Sequence, residues 1–222
     1  MKAVVVACET VRKELEQALK NTGRDYPVLW LESGLHSVPA NLHKRLVEAL
    51  TRAKDIGDLV LLAMGFCGNS VAGLTANGFQ LIVPKVDDCI TLLLGSSEKR
   101  QKISREYAAY FLTQGWLQGE RNIIRELQYM KEKFGEKQAR EIGKMMYHHY
   151  RTLVLLDTGV DSMEELRTNT AGISSEFGWK QETVQATLGY LEKLLTGPWD
   201  QDLFIVKNPG EKIELKDLYE IH

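Results

Sequence analysis

Residues 2–23, KAVVVACETVRKELEQALKNTG, decide the fold class. The run AVVVAC is apolar and β-branched without alternation, the pattern of a strand covered on both faces, and Cys8 closes it. The period then changes: Val11, Leu15 and Leu19 recur at helical spacing, Thr10 is placed to cap the helix and Gly23 to stop it. A buried strand running straight into an amphipathic helix is the opening of a βαβ unit.

The unit repeats along the next seventy residues. YPVLWLES (26–33) reads as a second strand, GLHSVPAN (34–41) as a loop and NLHKRLVEALTRAK (41–54) as a helix with Leu42, Leu46, Val47 and Leu50 inward. DLVLLAMGF (58–66) is a third strand entering CGNSVAGL (67–74), where Gly65 and Gly68 bracket Cys67 and a short helix is expected. FQLIVPKV (79–86) is a fourth strand, ending in DDCITLLLGS (87–96), where Asp87 and Asp88 suit the start of a helix that Cys89 enters. Four such alternations predict a Rossmann-like α/β fold, a parallel sheet flanked by helices with right-handed crossovers.

The second half is expected to be helix-rich. YAAYFLTQGW (107–116) reads as a short strand and turn, and residues 120–150 as a long helix that Gly135 divides or bends. TLVLLDTG (152–159) is another buried strand, residues 162–178 and 180–195 read as helices, and residues 199–215 as a last strand with a Pro-Gly turn. The division falls between residues 1–110 and 111–222, with one continuous domain as the other arrangement, since no repeat or linker marks a boundary.

Composition bounds the function. With 222 residues, 44% hydrophobic and 26% charged, the chain is long enough for a full core and reads as an ordinary soluble globular protein. A net charge of -2 lacks the basic excess of a nucleic-acid binder. The leading apolar run is too short for a signal peptide or a membrane span, so a cytoplasmic protein without membrane or nucleic-acid partners is expected. In that reducing setting, three cysteines are free thiols, metal ligands or redox groups, not a disulfide framework.

Their placement carries the functional reading. In parallel sheets ligands sit beyond the carboxyl ends of the strands. Cys8, Cys67 and Cys89 all fall there, and His36 lies on the loop leaving the remaining strand. Three thiolates and an imidazole complete a tetrahedral zinc shell, while three thiolates alone can hold an iron–sulfur cluster with one open iron. No compact CxxC spacing is present, so the case rests on topology. The plain alternative is that each is a small apolar core residue, and a third is a redox or nucleophilic thiol without metal.

Other residues have weaker claims. Glu9 and Asp88 flank the cysteines and are the candidate acid–base groups, although carboxylates there also cap helices or orient ligands. Gly68 and Asn69 belong to a loop whose backbone N–H groups suit an anion, but the Lys-Ser/Thr pair of a P-loop and GxGxxG spacing are missing. Trp116 and Trp199 flank turns and would pack on the core or wall a planar cofactor. His43 is expected in solvent, and His148 and His149 near a helix end, beside its dipole.

ACET, GLHSVP, MGFCGNSVAGL, VPKVDDCITLLLGS, YFLTQGW, LVLLDTG and LLTGPWDQDLFIVKNPG, in this order, resemble the bacterial and archaeal domain of unknown function 1638 family. The likeness spans nearly the whole chain. Its pattern features the cysteines at 8, 67 and 89, His36, the Asp88-Cys89 pair and the Gly95-Ser96 turn, which adds Ser96 to Gly68, Asn69 and Trp116 as candidate cofactor contacts. Met64 departs from it, standing where an aromatic residue is usual. The family occurs beside corrinoid-dependent methyltransferase systems, so the resemblance implies a role in corrinoid-linked one-carbon metabolism, with a corrinoid protein or methyltransferase as partner.

Three functions are thereby expected in competition. In the first, zinc held by the cysteines, with or without His36, activates a small-molecule thiol for methyl transfer, which requires an exchangeable fourth position. In the second, an iron–sulfur cluster or a corrinoid makes the chain an accessory to a methyltransferase. The third is a non-catalytic module that binds a small anionic ligand at the same sheet edge.

Overall fold

The structure, a computed structural model, describes residues 2–119 and 122–219 and, of these, all side chains except those of His36 and Ser37. The chain opens with β1 (Ala3–Cys8), every residue of which is buried, followed by a 3-10 turn and α1 (Arg12–Thr22), which Gly23 ends in the left-handed conformation. Then come β2 (Val28–Leu31), α2 (Pro39–Ala53), β3 (Leu59–Ala63), β4 (Gln80–Pro84), α3 (Cys89–Leu94) and α4 (Ser97–Tyr107). β5 (Ala109–Leu112), α5 (Gln114–Gln118), α6 (Ile123–Met146), β6 (Thr152–Asp157), α7 (Met163–Phe177) and β7 (Lys180–Gln185) follow. α8 (Gly189–Thr196), β8 (Phe204–Lys207) and α9 (Leu215–Leu218) complete the described chain.

The strands form two sheets. β2-β1-β3-β4 are parallel, and β8 joins β4 antiparallel at the edge; β5-β6-β7 form a separate parallel sheet. The architecture is therefore mixed α/β with a parallel-rich sheet flanked by helices, and the order β2-β1-β3-β4 is compatible with a Rossmann-like sheet. From β1 the chain steps to one side for β2 and to the other for β3, which opens a crevice at the carboxyl ends of β1 and β3.

The expected boundary between residues 110 and 111 falls inside β5, and β8 crosses back to the first sheet. β6 ties the halves together: Val154 and Leu156 on one face enter the core around the larger sheet, and Leu153 and Leu155 on the other enter the second core. A strand buried on both faces in this way joins the two cores into one packed body.

Four local readings differ from expectation or match it in an instructive way. Val47 is 45% exposed, because the buried stripe of α2 runs through Leu42, Leu46, Ala49, Leu50 and Ala53. Residues 67–74 form turns instead of a helix, with Cys67, Gly68 and Asn69 all at positive φ, which no helix accommodates. Residues 180–185 form β7 and not a helix: the polar segment KQETVQ is an edge strand paired with β6, so tertiary pairing overrides its weak pattern. Gly135 does interrupt α6, at φ 79 and ψ 161.

Candidate functional site

Three segments bring the cysteines to one edge. Cys8 is the last residue of β1, almost wholly buried, and its Sγ accepts a hydrogen bond from Thr10 Oγ1 at 3.0 Å. Beyond β3 the chain runs alongside the segment that leaves β4: Phe66 N–H donates to Val86 O and Cys67 N–H to Asp87 O, each at 2.8 Å. At Gly65 a Cβ would lie 2.6 Å from backbone atoms of Asp88, so only glycine lets the two segments approach this closely. Cys67 then turns into the left-handed region at φ 44 and remains half-buried.

Cys89 begins α3 and is completely buried. Asp88 caps that helix, its Oδ1 accepting from Thr91 N–H at 2.7 Å and Thr91 Oγ1 at 2.9 Å. The side chains of Cys67 and Cys8 and the backbone of Gly65 are the neighbours that act on the Cys89 thiol. Its pKa is pushed well above the ordinary thiol value, first by Cys67, with burial acting in the same sense; Cys8 and Gly65 pull the other way. The Cys89 thiol holds its proton because burial and the neighbouring thiol of Cys67 both oppose its charged form. Among the described residues no group of three or more His, Cys, Asp or Glu is set out to hold a metal ion as it stands.

The remaining candidates are distributed around this cluster. His36 lies on the 3-10 turn Ser33–Ser37 that follows β2, and its side chain is outside the described residues. Glu9 pairs with Arg12 at 2.9 Å, both side chains being 40% exposed, on the rim of the edge. The second carboxylate oxygen of Asp88 lies 3.6 Å from Arg100, so capping and this pairing engage both its oxygens. Gly68 packs on Pro39, where a Cβ would come within 2.9 Å of the ring, and Asn69 accepts a hydrogen bond from Tyr219. Both share the turn that carries Cys67.

Ser96 caps α4 through Lys99 N–H at 3.1 Å and lies beyond the far end of α3, the opposite end of that helix from Cys89. Trp116 packs against both cores, and its N–H is bonded to Thr113 Oγ1 at 3.2 Å. Trp199 is likewise anchored, through Nε1 to Leu194 O at 2.9 Å. His148 meets the carbonyl of Met145 at 2.8 Å near the end of α6, and His43 meets Ser70 O at 2.8 Å, supporting the Cys67 turn instead of standing in solvent.

Sequence reasoning missed a cleft of about 220 Å³ between the two halves, lined by Glu9, Arg12, Lys13, Ser33, Gly115, Gln118 and Gly119. Arg12 is held there over the Trp30 ring, 4.0 Å from its centroid. The approach is tight because Gly115 meets Thr10 O where a Cβ would lie only 2.3 Å away. It also missed Glu14, almost wholly buried beside Thr158 and Asp161. Glu14 falls on the inward stripe of α1 with Leu15 and Ala18, so its spacing was the available signal.

Fold and edge together define an α/β protein whose parallel sheet presents a cluster of three cysteines beyond its strand ends. The chain belongs to the family described as protein of unknown function (DUF1638), whose sequence model matches residues 30–195. That match takes in His36, Cys67 and Cys89 and begins after Cys8. Comparison with curated proteins and with solved structures finds no match.

Proposed function

We propose that this chain binds a single thiophilic metal ion, zinc, through Cys8, Cys67 and Cys89, and that the loaded protein assists or catalyses methyl transfer in corrinoid-linked one-carbon metabolism. The observation that carries the metal reading is that two other cysteine side chains, Cys8 and Cys67, come from remote parts of the sequence to act on Cys89. The donor chemistry suits zinc, for which cysteine thiolates are ordinary ligands.

Bound there, zinc would supply Lewis acidity that lowers the pKa of a coordinated thiol without redox chemistry of its own. The chain's own residues have separate tasks. Gly65 and the capped start of α3 fix Cys89, Thr10 orients Cys8, and the cleft beside Glu9 and Arg12 offers room for a small substrate on the same edge. Methyl transfer rests on the family resemblance, and the fourth ligand, His36 or a substrate thiol, decides between a closed structural site and an open catalytic one.

Elemental analysis of anaerobically purified protein tests the reading. A colourless preparation with about one equivalent of zinc, lost in the Cys8→Ala, Cys67→Ala and Cys89→Ala variants, is the expected result. A brown preparation with broad visible absorbance replaces zinc by an iron–sulfur cluster and an accessory role. Metal-free wild type with no affinity for added zinc, and variants of unchanged stability, would reduce the cysteines to core residues.

A further inference from the structure

The three cysteines are not equivalent in access. Cys67 is half-buried on a turn at the surface, while Cys8 and Cys89 are shut away from solvent at 1% and 0% exposure. Cys67 and Cys89 are also carried by segments locked side by side, through the bond from Cys67 N–H to Asp87 O and the contact of Gly65 with the Asp88 backbone. Cys8 belongs to a different strand, where Thr10 already engages its sulfur. One thiol that an oxidant can reach therefore stands beside a buried one that it cannot.

We infer that Cys67 and Cys89 form an oxidisable pair, in which Cys67 meets a peroxide-class oxidant and Cys89 resolves the product as an intrachain disulfide. In the first step the Cys67 sulfur attacks a peroxide oxygen, the O–O bond breaks, and sulfenic acid and one water result. In the second the Cys89 sulfur attacks the sulfenic sulfur, the S–S bond forms, the S–O bond breaks and a second water leaves. Two thiols lose two electrons and two protons, and one hydrogen peroxide is reduced to two waters. Cys8 stays a thiol, because it is shut away from the oxidant on a different strand.

This goes beyond the metal reading and does not depend on it, since the chemistry belongs to the metal-free protein. Chelator-stripped full chain is treated with hydrogen peroxide, quenched and denatured, after which thiols are counted and cross-linked peptides mapped by mass spectrometry. Two of the three thiols are expected to disappear, with Cys67 and Cys89 in one linked peptide pair, Cys8 free, and full recovery on dithiothreitol. The Cys8→Ala variant should give the same link, and Cys89→Ala should carry Cys67 on to sulfinic acid, which dithiothreitol does not reverse. Retention of all three thiols, a link that involves Cys8, or a link between two chains would overturn the inference. Zinc titration of the same stripped sample separates the proposals: disulfide without zinc affinity removes only the metal reading, and zinc affinity without disulfide removes only this one.

Discussion

The two parallel sheets end in edges of opposite chemistry. Beyond β1, β3 and β4 lies sulfur, three thiols of which two are buried and one is half-buried. Beyond β5 and β6 lies oxygen: Thr158 and Asp161 face Lys13 and Glu14 of α1, with Lys13 and Asp161 paired at 2.5 Å and Thr158 Oγ1 donating to Glu14 Oε1 at 3.3 Å. At both edges burial opposes the loss of a proton. Burial, aided by Asp161, raises the pKa of Glu14, as Cys67 and burial raise that of Cys89. The difference lies in what can replace the proton. Sulfur invites a soft ion, whereas the oxygen edge already contains an ammonium group and uses it to join the halves of the molecule.

That comparison presupposes one cooperative body, and its harshest test is a cavity in the shared strand. Leu155→Ala should cost about 2–5 kcal/mol and, because β6 serves both cores, should shift a single urea transition followed by tryptophan fluorescence and circular dichroism. Two separated transitions would detach the edges from each other. The next effect in size is on metal. Cys89→Ala should weaken zinc binding by about two orders of magnitude or more in competition with a chromophoric chelator, while Glu14→Gln should leave it unchanged. Equal losses would mean that the edges are not chemically distinct.

A pH series sharpens the contrast. A thiol whose folded pKa is raised stabilises the metal-free protein fully below the unfolded value of 9.0, and that contribution is lost as pH rises through the folded value. Denaturation midpoints of stripped protein should therefore fall above about pH 9. Zinc should abolish the fall, because the bound thiols are already deprotonated. A stripped protein with a flat alkaline profile would show that the cysteines do not crowd one another.

Much of the sulfur edge was legible and most of the oxygen edge was not. Buried parallel strands announce themselves as unbroken runs such as AVVVAC and LVLLA, and the rule that ligands gather beyond their carboxyl ends then placed Cys8, Cys67 and Cys89 together. The capping role of Asp88 followed from its position before an apolar helix. The conformation around Cys67 did not, because three successive residues at positive φ are stabilised by the neighbouring segment and not by their own propensities. β7 was hidden for a similar reason: KQETVQ becomes a strand only through its pairing with β6. Ser96 was placed at the site by resemblance alone, and α3 carries it away from Cys89. The oxygen edge needs α1 and β6, some 140 residues apart, to be packed first, which no local pattern records.

The smallest expected effect probes that unread edge. Among the described residues Glu14 Oε2, Gln114 Oε1 and Asp161 Oδ2 are buried without hydrogen-bond partners, so acceptors there outnumber donors. Glu14→Gln keeps the shape of the side chain, removes a carboxyl group whose ionisation the pocket opposes and adds two N–H donors. The wild-type carboxyl contributes fully below its unfolded pKa of about 4.5 and loses that contribution as pH rises through the raised folded value. The variant should therefore be more stable than wild type at pH 7 by about 1 kcal/mol and should lose the advantage at pH 4, as read from urea midpoints. A wild type that is the more stable at pH 7 would mean that an ionised Glu14 is wanted at the seam, and the two edges would then differ in charge as well as in element.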